Sequence, residues 1–428
     1  MWPPPGALMQ RSYGARRRAP SLSRSRREPG NPVGDPPRRF YGGRVETRDL
    51  DPADLDVAFD IRTRSFGVIG ESSRQNWRAM MLRSIDDQRV LGCYHGAALA
   101  AVARINRFDQ WWRGRSLPMA GIGGVVVAPE HRGRGVGRLL MRGVLERAAA
   151  QGYALSALYP ATAPLYRSCG WEFAGSQHLV TAPAEALRGL RAGSVPVRRV
   201  GPDDAAEILS VVRGIHAAAR TSGPINWEAT EVATWLAQDE PFAYLAEDGF
   251  LAYHWDDRDL EVDELVAGSG ATARALWSLV GSGSSVAKTV TACVGPDDPL
   301  RWIIQEPVVS PHREERWMLR LVDVAAALAG RGYPAGVDVE ATLEVEDPEL
   351  PGNSGIWRLT VAKGAGRVER VAAHPGATRV GPRGLAALYA GVPSATLRAA
   401  SLAGGGDPDT DALLDTVFAG RPYLLDYF

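Results

Sequence analysis

Cysteine is scarce in this chain: among 428 residues only Cys93, Cys169 and Cys293 carry a thiol. They lie far apart and form no C-x-x-C or Cys/His spacing, which excludes a disulfide framework and a zinc cluster as organising devices. The 7 histidines are scattered and make no H-E-x-x-H pair, so no metal is expected. Net charge is missing too, since 49 basic residues balance 49 acidic ones. The chain as a whole therefore offers no field for nucleic acid or an anionic membrane, and nucleic acid is not an expected partner. No apolar run reaches the 18 or so residues that a membrane span needs. Val322 to Gly330, among the longest, is broken by Asp323. No apolar core follows the N-terminal arginines, so the reading is a cytoplasmic protein without a signal peptide.

What is present is ordinary globular composition, 45% apolar and 23% charged. The length allows about three domains at roughly 150 residues each. Residues 1–43 are the exception: rich in Arg, Pro, Ser and Gly, with Arg16-Arg17-Arg18 and few large aliphatic side chains. Such a segment cannot bury enough apolar surface to offset its ordering entropy, and it is expected to be disordered.

The most informative stretch runs from Gly123 to Leu140. Val125, Val126 and Val127 read as a buried strand, Pro129 ends it, and a glycine-spaced basic turn opens a helix in which Val136, Leu140 and Val144 recur at helical spacing. Glycines at 133, 135 and 137 let backbone approach a ligand closely, and the unpaired N–H groups of a helix start favour an anion such as a diphosphate. Arg132, Arg134 and Arg138 add charge around it. There is no Lys-Ser/Thr after the glycines and no G-x-G-x-x-G turn, so neither common nucleotide fingerprint applies.

The words Val-x-Pro-x-x-Arg-Gly-x-Gly-x-Gly resemble motif A of the GNAT acetyltransferases, and Leu165-Tyr166-Arg-Ser-Cys-Gly-Trp-Glu-Phe173 resembles the end of the same domain. From Val197 the pattern starts again, with a helix near 203–220 and strands near 242–254 and 260–267. There Gly268-Ser269-Gly270 stands where the basic turn would fall, without its arginines. The acids among Asp256, Asp257, Asp259, Glu261, Asp263 and Glu264 alternate in part with apolar residues and read as a solvated strand face. A third unit is expected from Glu314, with Trp317 to Leu328 as a strand passing into a helix, and the chain closes on apolar Tyr423-Leu-Leu-Asp-Tyr-Phe428.

Taken together, residues 44–428 resemble the Eis (enhanced intracellular survival) family. The implied fold is mixed α/β (α+β): a catalytic GNAT domain at 44–194, a degenerate GNAT-like domain at 195–313 and a domain similar to sterol carrier proteins at 314–428. The resemblance implies acetyl-coenzyme A as donor, an amine of polyamine, lysine or aminoglycoside type as acceptor, and a homohexamer. By position it places the cofactor on Val125, Val126, Val127, Gly133, Arg134, Gly135, Val136, Gly137 and Arg138, with Ala161 and Thr162 beside them. It implies Phe428 as base through its α-carboxylate. Tyr166 suits the general acid, since a phenol with an ordinary value near 10 stays protonated at neutral pH, with Tyr159 as its alternate. Trp77 and Asp426 are expected at the acceptor. The rival reading is a non-catalytic module that binds acyl-coenzyme A or lipid through the sterol-carrier-like domain.

Overall fold

In a computed structural model, residues 45–428 except 192, 239, 306 and 373–375 are described. The segment expected to be disordered lies outside the described residues. Strands β1 (Val45–Asp49), β2 (Val90–His95), β3 (Ala98–Trp112), β4 (Arg115–Val127), β5 (Leu155–Leu158) and β6 (Glu172–Pro183) form the first part of a 13-stranded sheet. Its other members are β7 (Arg198–Val200), β8 (Ser222–Asn226), β9 (Phe242–Ala246), β10 (Gly249–Asp256), β11 (Asp259–Ala267), β12 (Thr289–Val294) and β13 (Ser310–Leu321). The spatial order is β1-β2-β3-β4-β5-β13-β6-β12-β11-β10-β9-β7, with β8 paired to β3.

One strand does not sit where the sequence places it. The segment expected to open the third unit is the C-terminal part of β13, and β13 lies between β5 and β6, antiparallel to both. The strand also runs through the expected boundary at 313/314. Its last residues, Trp317 to Leu321, are all buried: their backbone is paired within the large sheet, while Trp317, Leu319 and Leu321 share a core with the C-terminal unit and Met318 lies in the core on the helix Val136–Ala150.

Around the sheet pack α1 (Leu55–Phe66), α2 (Glu71–Asp86), α3 (Val136–Ala150), α4 (Ala163–Arg167), α5 (Ala205–Ala219), α6 (Ala229–Leu236) and α7 (Gly270–Gly281). The apolar stripe of α3, Val136, Leu140, Met141, Val144, Leu145 and Ala148, is buried with Leu91, Ala101 and Ile105 from β2 and β3.

Beyond β13, a second sheet has the order β16-β15-β14-β17-β18: β14 (Val339–Val345), β15 (Gly355–Ala362), β16 (Ala365–Val371), β17 (Thr378–Val380) and β18 (Ala403–Gly405). Helices α8 (Val324–Gly330), α9 (Pro382–Tyr389) and α10 (Pro408–Phe418) cover it. Its core merges with that of the large sheet: Leu343, Leu359, Leu388 and Phe418 share one cluster with Trp112, Leu117 and Trp317. A buried ion pair crosses the junction, with Arg320 donating to both carboxylate oxygens of Asp347 at 2.6 and 2.7 Å. Asn353 donates to Asp347 at 2.9 Å and to the Val322 carbonyl at 3.1 Å, so the pair is held by hydrogen bonds as well as charge.

After α10 the chain turns back into the large sheet. The Tyr423 N–H donates to the Ser222 carbonyl at 3.1 Å and the Leu424 N–H to the Ser176 carbonyl at 3.3 Å, so the tail threads between β8 and β6. Glycine makes this passage available. A Cβ at Gly175 would stand 2.2 Å from the Pro422 oxygen, and one at Gly223 1.9 Å from the Tyr423 oxygen.

Candidate active site

The site begins with a break in the β3–β4 ladder. Val102 pairs with Val126 but Arg104 pairs with Gly123, so Gly124 and Val125 oppose a single residue of β3. Gly124 has φ +63°, a left-handed backbone that glycine adopts without steric cost, and the resulting bulge releases backbone groups from the ladder. The parallel pairing of β4 with β5 ends at Gly121 with Ala157. Beyond that point the two strands part, and a cavity of about 180 Å³ fills the gap.

That cavity is lined by Gly123, Gly124 and Val125 of β4, by Tyr159, Ala161 and Tyr166, by Arg313 and Glu315 of β13, and by Tyr427 and Phe428 of the tail. Tyr166 sits on α4 and is 5% exposed. Burial pushes its phenol up to about 12, so it is protonated throughout the neutral range. Phe428 is 8% exposed, and its carboxyl carbon lies 3.7 Å from where a Gly123 Cβ would stand. Its ring packs on Phe108 at 5.1 Å and Tyr159 at 5.6 Å. Tyr159 stacks on Tyr427 at 4.2 Å and donates its hydroxyl to the Asp426 carbonyl at 2.7 Å. Its proton is thus engaged in seating the tail.

The glycine-spaced turn stands beside this gap. Gly133 and Gly135 have φ +72° and +81°, and α3 starts after Gly135 without a side-chain cap. Its first N–H groups are the donors a diphosphate needs. Val126 is buried in the core, while Val125 and Val127 are partly buried. Arg132 donates to the Val127 carbonyl at 3.1 Å and so ties the turn to its strand. Arg134 is exposed. Arg138 faces elsewhere: it pairs at 3.1 Å with Glu349, which also pairs with Arg142. Nothing in the sequence pattern signals this contact, because its carboxylate comes from the far end of the chain. Thr162 occupies the cap position of α4, and its side chain makes no capping bond.

A larger cavity of about 330 Å³ meets the smaller one at Tyr427 and Phe428. Its walls come from both halves of the large sheet, from α2, α5 and α6, and from the tail. Asp426 lines it, with the Trp227 indole N–H donating to its carboxylate at 2.9 Å. Trp77 is not among its walls: the face of α2 that turns inward carries Asn76, Ala79, Met80 and Arg83, and Trp77 is rotated off that face to pack on Phe59 at 5.1 Å. The expected wall residue is half-buried against the core beneath α1 and α2 instead.

The acids of β11 need a second correction. Leu260 and Val262 point into one core, but after the register jump between Ala252 and Tyr253 it is Leu265 that does so. The bulge places Glu261, Asp263 and Glu264 on one face, and all three line the larger cavity. Of the face read as solvated, Asp256, Asp257 and Asp259 are exposed, whereas Glu261, Asp263 and Glu264 are a wall of the pocket. The period-2 alternation gave the right strand but could not say what its polar face meets. His254, buried on β10, pairs with Asp263 at 3.0 Å and lies 3.8 Å from Glu261. Among the described residues no three His, Cys, Asp or Glu side chains gather as a metal site, and no helix is long and apolar enough to cross a membrane.

Residues 46–174 and 223–321 each match a family described as an acetyltransferase (GNAT) domain, and residues 324–425 match a sterol carrier protein domain. A solved GCN5-related N-acetyltransferase from Kribbella flavida is 48% identical, covers 90% of this chain and 99% of its own, and superposes with a TM-score of 0.87. The chain belongs to the GCN5-related N-acetyltransferases. Within this family the likeness to Eis proteins is borne out by N-acetyltransferase Eis of Mycobacterium tuberculosis, 29% identical over 274 residues. That match takes in 59% of the present GNAT chain and 65% of the curated relative's length. An uncharacterized N-acetyltransferase of Streptomyces avermitilis is 28% identical over 353 residues, 74% of this chain and 82% of its own. The three units of this GNAT protein are two acetyltransferase folds, the second without the basic turn, followed by a sterol-carrier-like fold.

Proposed function

We propose that the protein transfers the acetyl group of acetyl-coenzyme A to a primary amine, directly and without an acyl-enzyme. The observation that carries this reading is that one cavity joins the Gly124–Val125 bulge, the Tyr166 phenol and the Phe428 carboxyl group. The turn from Gly133 to Arg138, with Ala161 and Thr162, would hold the coenzyme, its diphosphate on the uncapped start of α3, and the thioester would lie in the smaller cavity. The bulge fits the carbonyl, because a freed backbone N–H can polarise an oxygen that gains charge.

The amine arrives from the larger cavity. Its nitrogen forms a C–N bond to the thioester carbonyl carbon while the Phe428 carboxylate takes a proton from the nitrogen. The C–S bond then breaks, and Tyr166 gives its proton to the departing sulfur, leaving an amide and a thiol. A carboxylate is a weak base in water, and this one is placed by ring contacts of Phe428 with Phe108 and Tyr159. The division into units 44–194, 195–313 and 314–428, the hexamer and a cytoplasmic setting belong to the same reading. Light scattering of the purified protein checks the hexamer.

The test measures thiol release from acetyl-coenzyme A with a panel of amines, for native protein, Tyr166→Phe and a variant carrying two residues after Phe428. The expected outcome is a kcat loss of about a hundredfold for Tyr166→Phe and near-complete loss for the extended tail, with acetyl-coenzyme A binding retained in both. Thiol release no faster than hydrolysis with every amine would overturn the proposal, and full activity in the extended variant would remove Phe428 from it.

A further inference from the structure

The larger cavity bears on which amine is taken, an inference that rests on the acetyl-transfer reading above. Its walls are mainly apolar: Phe108, Leu179, Ile208, Val212, Phe250 and Leu425 are among them and all are buried. Uncharged polar groups such as Asn106, Gln177, Asn226 and Thr291 are interspersed among them, so a ligand whose middle is apolar matches more of the wall than one bearing a hydroxyl on every carbon, where each group left unpaired costs roughly 1–3 kcal/mol. The charged groups are divided by side. Arg83 and Arg104 come from α2 and β3, whereas the acids come from β11, α6 and the tail.

Most of these acids have partners. Glu231 caps its own helix through the Glu228 N–H and faces the charge of Arg104. Asp263 and Glu261 flank His254. Glu264 is different: it lines the cavity, and among the described residues it has no hydrogen-bond donor and no ion-pair partner. The charge nearest to it in effect is Asp426, whose carboxylate is steadied by one indole N–H. Glu264 and Asp426, beside the His254-paired acids of the same strand and next to the tail that carries Phe428, make a seat for a cation held away from the reacting nitrogen.

We propose that the acceptor is an α,ω-diamine with an apolar spacer, one amine reacting at Phe428 and the distal ammonium held by Glu264 and Asp426. The degenerate second unit thereby supplies specificity, since Glu264 belongs to its strand β11. The protonation of the pair agrees with this. Burial first, and then the charges of Asp426 and Asp263, push Glu264 above the ordinary carboxylate range, and burial pushes Asp426 up as well against the pull of Trp227. Cys293 and Tyr423 also stand near the pair, and both are held neutral by burial. Glu264 thus keeps its proton to a higher pH when the cavity is empty, and an arriving ammonium favours its release.

The experiment compares n-octylamine, 1,8-diaminooctane, spermidine and kanamycin as acceptors for native protein and Glu264→Gln, whose melting temperature checks folding. With native protein, kcat/KM for 1,8-diaminooctane is expected to exceed that for n-octylamine by about tenfold, one charge-assisted contact. Glu264→Gln is expected to abolish that advantage through KM while leaving kcat, and the octylamine values, unchanged. The native diamine KM falls with rising pH more steeply than the monoamine KM. Equal values for the two octyl amines, or kanamycin or spermidine as the best acceptor, would overturn the inference while leaving acetyl transfer standing. If no amine is acetylated, the transfer reading fails, and calorimetry of 1,8-diaminooctane decides the seat alone. Binding with proton release that Glu264→Gln loses supports it, and absence of binding to native protein overturns it.

Discussion

At Gly223 a single absent methyl decides whether the tail can dock. The residue has φ +109° as well as the Tyr423 oxygen against its α-carbon, so Gly223→Ala meets both a backbone penalty and a clash. The expected outcome is a folded protein that binds acetyl-coenzyme A but has lost turnover, the same phenotype as the extended tail. Calorimetric coenzyme binding beside thiol release checks it. Cost at this position falls on the site, since Leu424 and Phe428 are held by what the tail passes on its way in. None of this was legible in the sequence: a Ser-Gly-Pro segment signals a turn, and its real role is visible only once the extended tail at Tyr423 has been laid across it.

On the scale of single elements the sequence was readable wherever local patterning and burial agree. The β4–turn–α3 unit followed from Val125–Val127, the glycines and the helical stripe, and the structure keeps all three. The strand of Trp317 was recognised, but not its pairing with β5 and β6, because an apolar run states that it must be buried and does not state which strands it joins. The acids of β11 failed for the complementary reason, with a bulge inside the strand shifting the alternation by one residue. Helix α3 shows what a local motif omits. Glu349, 7% exposed in its side chain, holds Arg138 and Arg142, so a diphosphate bound at the turn as proposed would compete for Arg138 with a carboxylate from the C-terminal unit. Glu349→Gln removes the competitor, and KM for acetyl-coenzyme A is expected to fall by about threefold with kcat unchanged, the scale of a partly exposed ion pair. Steady-state kinetics with the donor varied are the check.

For the whole molecule, the units are joined by more than apposed surfaces. Arg320 and Asp347 are 0% and 1% exposed and come from the large sheet and the C-terminal unit respectively. Asp347→Asn would leave Arg320 buried without its counter-charge, at a cost of roughly 3–5 kcal/mol. A lower melting temperature, with the loss larger than for the exposed pair Arg421–Asp297 when Asp297→Asn is tested beside it, is the expected result in calorimetry. The same junction bears on the rival lipid-carrier reading, because the interior of the C-terminal unit is filled by Tyr333, Tyr389 and Phe418 around the buried Arg331 guanidinium. The shared sheet has a further bearing, on how such a chain comes into being. As residues 155–183 leave the ribosome, β5 and β6 have each lost the neighbour they need, and that neighbour, residues 310–321, has yet to be translated. For more than a hundred peptide bonds of synthesis β5 has one open edge and β6, whose other neighbour β12 is also still to come, has both, and such edges are the templates on which chains aggregate. Its half-made state is therefore a client for chaperones, and the gene cannot be cut at the border between its two acetyltransferase folds without stranding those edges for good.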